Sequence, residues 1–129
     1  MLRDGILNPS INALLSRVRH TNTLVIADRG FPYWPTIETV DVSLVDDIPR
    51  VLDVLRPVLE RCVVGRIYMA EEFLEHNTPE TRAAFEAAVG DVPVLYEPHT
   101  SFKRRVPHAT GLIRTGDTIP YANLILESA

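Results

Sequence analysis

The sequence predicts an α/β fold, with a single layered domain over residues 1–129 and a largely parallel sheet flanked by helices. Short apolar runs rich in β-branched residues alternate with stretches whose apolar residues recur at helical spacing. Strands and helices that alternate in this way favour parallel pairing through right-handed crossovers. The length of 129 residues fits one domain of ordinary size, and no repeat or linker divides it.

The first helix and the first strand are marked at both ends. Asn8-Pro9-Ser10 opens a helix, because Asn or Ser can cap it and Pro suits its first turn. Apolar residues follow at helical spacing, and the helix ends near residues 17–20. The apolar run 24–27 then predicts a buried strand that ends at Asp28. Because ligands bind at the carboxyl ends of strands in open α/β sheets, Asp28 stands where a functional residue is expected.

The middle of the chain predicts three further helices. The pattern over residues 48–62 is helical with Pro57 inside it, so a kink or a later start is expected. Thr78-Pro79-Glu80 opens the clearest helix, with Thr78 as its cap, and this helix stops at Gly90. A polar turn and a short helix are expected over residues 98–107. The remaining predicted strands cover residues 39–44, 64–70, 92–96, 111–114 and 122–126.

Composition narrows the classes of function. The net charge is −4 and the longest basic run is Lys103-Arg104-Arg105, so a nucleic-acid partner is not expected. No apolar run approaches the ~20 residues of a membrane helix, and no signal peptide is recognised. The single Cys62 lies on an apolar helical face, where a core thiol is commoner than a nucleophile. We expect a soluble protein of the cytoplasm.

Tyr121 and Asn123 stand at the start of the apolar run Leu124-Ile125-Leu126. If they lie in the strand, alternation places both side chains on one face. A phenol and an amide together supply donors and acceptors, which suits a ligand with many hydroxyls. Taken alone, a Tyr at a strand edge and an Asn in a turn are the commoner interpretation.

Two residues suit proton chemistry. His20 follows the first helix and precedes a strand, so it could bond the last helix carbonyls or act as a general acid or base. Asp28 could cap a loop, bind ligand hydroxyls or orient the histidine. Because no Gly-x-Gly-x-x-Gly, P-loop or Gly-x-Ser-x-Gly motif occurs, no cofactor is expected. The remaining polar groups suit proton transfer on a neutral, hydroxyl-rich ligand.

Two pairs of residues are spaced i, i+4 and would share a helical face. His99 and Lys103 could be a solvated surface pair or part of a site. Glu72 and His76 could ligate a metal, but a single pair is weak support, and no metal site is expected.

In combination, these motifs resemble the D-ribose pyranase family, which is related to the L-fucose mutarotases. The segments that carry the resemblance cover nearly the whole chain in order: Gly5-Ile6-Leu7-Asn8, Arg19-His20-Thr21, Ile26-Ala27-Asp28 with Gly30 and Pro32, Val40-Asp41-Val42-Ser43-Leu44, Ala70-Glu71-Glu72, His99 with Phe102-Lys103, and Arg114-Thr115-Gly116-Asp117 before Pro120-Tyr121-Ala122-Asn123. The opening segment and the Phe-Lys pair favour the pyranase branch.

The resemblance implies a cofactor-free isomerase that exchanges the β-pyranose and β-furanose forms of D-ribose through ring opening. It also implies a homo-oligomer, a decamer of two stacked pentamers, with each site at a subunit interface. By the same resemblance His20 is the proton donor. The residues that would line the sugar site are Asp28, His99, Tyr121, Ala122 and Asn123, with Lys103 as an addition.

Two departures from the family pattern leave the identity of the substrate sugar undecided. Arg19 replaces the small residue usual before the histidine, and one loop carries Phe31, Tyr33 and Trp34. Either could favour L-fucose or another monosaccharide, and the loop could cover a ligand or contact a neighbouring subunit. Two further alternatives are a sugar-binding accessory of uptake without turnover and an assembly protein. Pure binding is less favoured, because hydroxyl recognition does not need a titrating residue such as His20.

Overall fold

Six strands form one mixed sheet at the centre of the computed structural model, which describes residues 1–129. The strands are β1 (Thr23–Ala27), β2 (Glu38–Asp41), β3 (Val64–Ala70), β4 (Val94–Glu97), β5 (Gly111–Arg114) and β6 (Leu124–Ser128). Their order across the sheet is β2-β5-β1-β6-β3-β4. Five strands run parallel to one another, and β6 runs antiparallel to its neighbours β1 and β3. The prediction of an α/β fold with a largely parallel sheet is confirmed.

Helices cover both faces of the sheet. They are α1 (Pro9–Arg17), α2 (Val51–Arg61), α3 (Glu72–His76), α4 (Pro79–Val89) and α5 (His99–Arg105), followed by the 3-10 turn Val106–His108. Side chains of α1 to α4 join the larger core cluster on one face, and those of α5 and the 3-10 turn join the smaller cluster on the other. In β1, Leu24 and Ile26 contribute to the larger cluster while Val25 and Ala27 contribute to the smaller, as strand alternation requires.

The ends of two helices follow the predicted capping chemistry. Asn8 Oδ1 accepts the backbone N–H of Ile11 at 3.0 Å. Thr78 Oγ1 accepts the backbone N–H of Thr81 at 3.2 Å. The helix that Thr78 caps ends at Gly90, whose φ of +65° suits glycine. Each cap satisfies an amide donor that the first helical turn leaves open.

Several elements differ from the predictions, including β2 (Glu38–Asp41, predicted as 39–44) and β4 (Val94–Glu97, predicted as 92–96). Helix α2 begins at Val51, three residues later than its pattern, and keeps Pro57 inside it. Its start is set by Asp117, whose Oδ2 accepts the Val51 N–H at 2.9 Å from a distant part of the chain. Helix α3 was not predicted, because five residues are too few to show a helical period. Strand β6 begins at Leu124, so residues 122–123 precede it.

One edge of the sheet collects the segments that carry polar residues. The carboxyl ends of β1 and β5 lie together, since Ala27 pairs with Arg114. The first residue of β6, Leu124, pairs with Ile26 on one side and Met69 on the other, so β6 starts where β1 and β3 end. The loops that follow the parallel strands therefore meet the segment that precedes β6. Among the described helices, none has the length and apolar character needed to span a membrane.

Candidate functional site

A cleft of about 330 Å³ opens at this edge of the sheet. Its size falls at the lower end of the range for small-molecule sites. Five of the seven predicted site residues line it, namely Asp28, His99, Lys103, Tyr121 and Asn123. Gly30, Phe31, Pro32 and Pro120 complete the lining. Sequence reasoning had not named these four as site residues, although the aromatic load of the loop after β1 pointed towards Phe31.

A larger cleft of about 480 Å³ lies between α2 and α4. Two of its carboxylates hold the start of α2. Asp53 Oδ2 accepts the Arg50 N–H at 2.7 Å, and the buried Asp117 accepts the Val51 N–H. No histidine lines this larger cleft, so the smaller one is the better candidate for proton chemistry.

Asp28 and Asn123 are joined across the cleft. The Asp28 N–H donates to Asn123 Oδ1 at 2.8 Å, and the Gly30 N–H donates to Asp28 Oδ1 at 2.9 Å. Burial raises the pKa of Asp28, and hydrogen bonds from Gly30 and Asn123 oppose that rise. The Asn123 amide oxygen is used internally and its NH₂ group also bonds the Asp28 carboxyl, so one N–H of that group remains to donate to a ligand.

His99 is packed among aromatic rings at the start of α5. Its ring stacks against Phe102 with centroids 6.0 Å apart and an interplanar angle of 13°. It meets Tyr121 edge-on at 5.1 Å and Phe31 edge-on at 6.5 Å. These contacts fix the plane of the imidazole, so the cleft has a rigid wall on this side.

The surroundings of His99 favour its neutral form. Burial and then the Lys103 ammonium lower the pKa of His99, while the carboxylates of Glu72 and Asp28 act in the opposite direction. Its Nδ1 is buried and has no hydrogen-bond partner. A protonated ring would bury an N–H donor without an acceptor, which is costly. The neutral ring therefore leaves Nε2 as the nitrogen that can meet a ligand.

Tyr121 lies in a turn, so the strand alternation considered for Tyr121 and Asn123 does not apply. Its φ is +57°, and β6 starts only at Leu124. Tyr121 and Asn123 both line the cleft, but through the turn rather than through strand alternation. Ala122 between them is fully buried in the larger core cluster and does not line the cleft. Any contact of Ala122 with a ligand would have to use its backbone.

The aromatic loop after β1 divides between the core and the surface. Phe31 is buried in the smaller core cluster and packs 6.3 Å from Trp34, whereas Tyr33 is 70% exposed. The Arg114 guanidinium donates to the Phe31 carbonyl and pairs with Asp41 at 3.5 Å. The start of the loop is thereby tied to the sheet, and Phe31 becomes a fixed part of the cleft.

His20 lies at the opposite end of β1 from the cleft. It is exposed in the turn before the strand, where the next residue, Thr21, donates its N–H to the Ser128 carbonyl at 2.9 Å. The rise from Thr23 to Asp28 alone is about 16 Å for an extended strand. The structure therefore does not bring His20 into the cleft of its own chain, and Asp28 cannot orient the His20 of the same chain.

Glu72 and His76, the pair weighed as metal ligands, have other contacts. Both carboxylate oxygens of Glu72 accept the His99 N–H, at 3.1 and 3.0 Å. The His76 ring stacks on Tyr121 with centroids 5.3 Å apart. No group of three or more His, Cys, Asp or Glu side chains is arranged to hold a metal ion.

Comparison with known proteins assigns the chain to a family. Residues 1–129 match the model of the RbsD / FucU transport protein family. The chain belongs to this family. It is 41% identical to a D-ribose pyranase of Geobacillus kaustophilus over 128 residues, which covers 99% of this chain and 93% of the relative. It is 36% identical to a D-ribose pyranase of Enterococcus faecalis, over 99% of this chain and 97% of the relative.

Solved structures of the RbsD / FucU family share the architecture. The structure of Bacillus subtilis RbsD complexed with D-ribose superposes with a TM-score of 0.92 at 32% identity, covering 100% of this chain and 98% of that chain. The fucose mutarotase of Streptococcus pneumoniae, solved with L-fucose, gives 0.77 at 20% identity, over 95% and 93% of the two chains, and shares the fold alone. The resemblance to the pyranase family drawn from the motifs is confirmed.

Proposed function

We propose that this protein is an isomerase that interconverts the β-pyranose and β-furanose forms of D-ribose through ring opening, without a cofactor. The observation that carries the proposal is the cleft that combines Asp28, His99, Tyr121 and Asn123 in a chain 41% identical to a D-ribose pyranase. A family member that was solved with D-ribose shares the same fold at 32% identity. The matching branch therefore supports D-ribose as the substrate.

The reaction needs two proton transfers and no change of oxidation state. Opening the hemiacetal breaks the bond between the anomeric carbon and the ring oxygen, delivers a proton to that oxygen and removes one from the anomeric hydroxyl. Closing on a different hydroxyl reverses both transfers. A positioned acid or base typically contributes ~10²–10⁴-fold, which suits a reaction that already proceeds in water.

His20 is the proposed proton donor, and it would act in the cleft of a neighbouring subunit. Its exposure and its place at the far end of β1 support this arrangement. Large apolar side chains also remain exposed on the single chain, with Leu44 at 76%, Val45 at 58% and Ile48 at 54%. Such side chains favour association. We propose a homodecamer of two stacked pentamers. We also propose that it works in the cytoplasm, where a free thiol such as that of Cys62 stays reduced.

The cleft residues would hold the sugar in place. Asp28 would accept a sugar hydroxyl, and the Asn123 NH₂ group and His99 Nε2 would supply donors. Tyr121 would contribute its hydroxyl and the face of its ring, and Lys103 a further donor at the rim. Ala122 could take part through its backbone only, since its side chain is in the core. These roles place recognition on one chain and proton delivery on its neighbour.

NMR saturation transfer between the pyranose and furanose signals of D-ribose tests the proposal. We expect faster exchange with the protein than in buffer, and loss of that acceleration in His20→Ala while ribose binding and the oligomer persist. Thr78→Ala, which changes a helix cap away from the cleft, is the matched control. L-Fucose run in parallel identifies the preferred sugar. If the wild-type protein binds D-ribose but exchange is no faster than in buffer, the catalytic proposal is wrong.

A further inference from the structure

Helix α3 contacts two walls of the cleft through side chains that do not line it. Glu72 and His76 are the first and last residues of this short helix and share one face. Neither has a part in the reaction described above. Each contacts a residue that does, His99 in one case and Tyr121 in the other.

Glu72 holds the amino end of α5. Both of its carboxylate oxygens accept the backbone N–H of His99, at 3.1 and 3.0 Å. A charged acceptor at a helix amino end makes a strong hydrogen bond and favours the helix dipole. Since His99 is the first residue of α5, this contact sets where the helix begins and hence where the imidazole enters the cleft.

His76 supports the ring of Tyr121 from the other side. The two rings stack with centroids 5.3 Å apart and an interplanar angle of 27°, while His99 meets the same ring edge-on at 5.1 Å. The φ of Tyr121, +57°, is one that side-chain-bearing residues rarely adopt and that persists only where the surroundings hold it. Asn77, next to α3, adds a hydrogen bond from Nδ2 to the Pro120 carbonyl at 2.9 Å.

We propose that α3 is a positioning element of the sugar site, in which Glu72 fixes His99 and His76 fixes Tyr121. The inference rests on the proposed function for its catalytic consequence, and on the contacts above for its geometry. Because the proton donor lies elsewhere, at His20, loosening α3 impairs sugar binding more than proton transfer. The signature of the element is therefore a rise in KM for D-ribose that exceeds the fall in kcat.

The Glu72 contact is tested with a graded pair of substitutions. Glu72→Ala removes both acceptor oxygens, and we expect KM for D-ribose to rise about 10-fold, since small misplacements at a site are costly. Glu72→Gln keeps one acceptor oxygen and is expected to recover most of the affinity. Glu75→Ala, an exposed position on the same helix, is the matched control and should match the wild type. Equal KM values for Glu72→Ala and Glu75→Ala would overturn the role of Glu72.

The His76 contact is tested by removing and then restoring the stacked ring. His76→Ala is expected to raise KM, and His76→Phe is expected to restore it, because a planar ring suffices for stacking. If His76→Phe behaves like His76→Ala, stacking is not the function of His76. Thermal unfolding of each variant separates loss of positioning from loss of fold.

Crystal structures of Glu72→Ala and His76→Ala without ligand test the positioning directly. We expect the His99 ring to shift in the first variant and the Tyr121 ring in the second, each by about 1 Å or more. Unmoved rings would refute the positioning role, whatever the activity. If the wild-type protein fails to accelerate ribose exchange, the proposed function falls, while the ring positions still decide whether α3 holds this cleft.

Discussion

The two ends of strand β1 differ in how firmly contacts within one chain hold the functional side chains. At the carboxyl end, Asp28 is half-buried and bonded to Gly30 and Asn123, and His99 is clamped between aromatic rings. At the amino end, His20 is exposed in a turn. One end is a preformed wall, and the other presents an exposed imidazole to solvent.

The difference indicates which part of the proposed reaction would depend on association. Recognition of a polyhydroxylated ligand needs several groups in fixed relative positions, and the edge of the sheet supplies them within one chain. Delivery of a proton to the ring oxygen needs one donor at the right place, and a neighbouring copy could bring it. Under the proposed function, the single chain is a binding site that lacks its acid, and assembly would complete it.

The largest expected effect comes from mixing two inactive variants. His20→Ala lacks the proposed proton donor, and Asn123→Ala lacks the amide that holds Asp28, so each alone should lose the acceleration of ribose exchange. If His20 acts on the neighbouring cleft, oligomers co-assembled from both chains contain sites with both residues intact. Random mixing in equal amounts should then restore about a quarter of the wild-type rate.

The same mixture distinguishes a His20 that acts on the neighbouring cleft from one that acts on its own chain. If His20 served its own chain, every site in the mixture would carry one of the two lesions, and no rate would return. A control in which the two variants are purified separately and combined without exchange of subunits should remain inactive in either case. Saturation transfer measures all of these rates in the same way.

Local sequence signals were sufficient for most of the fold. The caps at Asn8 and Thr78 act on amides only three residues away, so the residues that start these helices are adjacent to them in sequence. The apolar runs that became β1 and β3 are likewise continuous in sequence. These features were predicted because their causes lie within a few residues.

The parts that sequence reasoning missed have causes far away in the chain. The start of α2 depends on Asp117, 66 residues beyond Val51. The hydrogen bond that fixes Asp28 is accepted by Asn123, 95 residues further on. The turn at Tyr121 could not be predicted from its sequence neighbours, because it is held by contacts from α3, a helix too short to be recognised. Such contacts exist only once the sheet has brought its loops together.

An effect of intermediate size is expected from pH, through His99 in the wall of the cleft. Burial lowers the pKa of His99 from its ordinary value of 6.5, so the folded state binds fewer protons there than the unfolded state does. Its contribution to stability is therefore fully present above about pH 6.5 and is lost as the pH falls towards and through the lowered pKa. Urea unfolding between about pH 7.5 and pH 5 measures the loss.

Substitution by an uncharged residue isolates this contribution. His99→Gln keeps a polar side chain that does not titrate, so its stability should fall less than that of the wild type over the same pH range. The affinity of the wild-type protein for D-ribose should also fall as the pH falls, because protonation places a buried donor without an acceptor at Nδ1 of His99. Parallel pH profiles for His99→Gln and the wild type would show that His99 is not held in its neutral form by the wall.

The smallest expected effect lies at the Thr78 cap, outside both ends of β1. Thr78→Ala removes the oxygen that accepts the Thr81 N–H at the start of α4, and should lower the free energy of unfolding by about 1 kcal/mol. Its ribose exchange rate should stay at the wild-type value, because the cleft is built by other segments. A large loss of rate with this modest loss of stability would mean that the wall depends on α4 as well, and that the carboxyl end of β1 is less self-contained than its hydrogen bonds indicate.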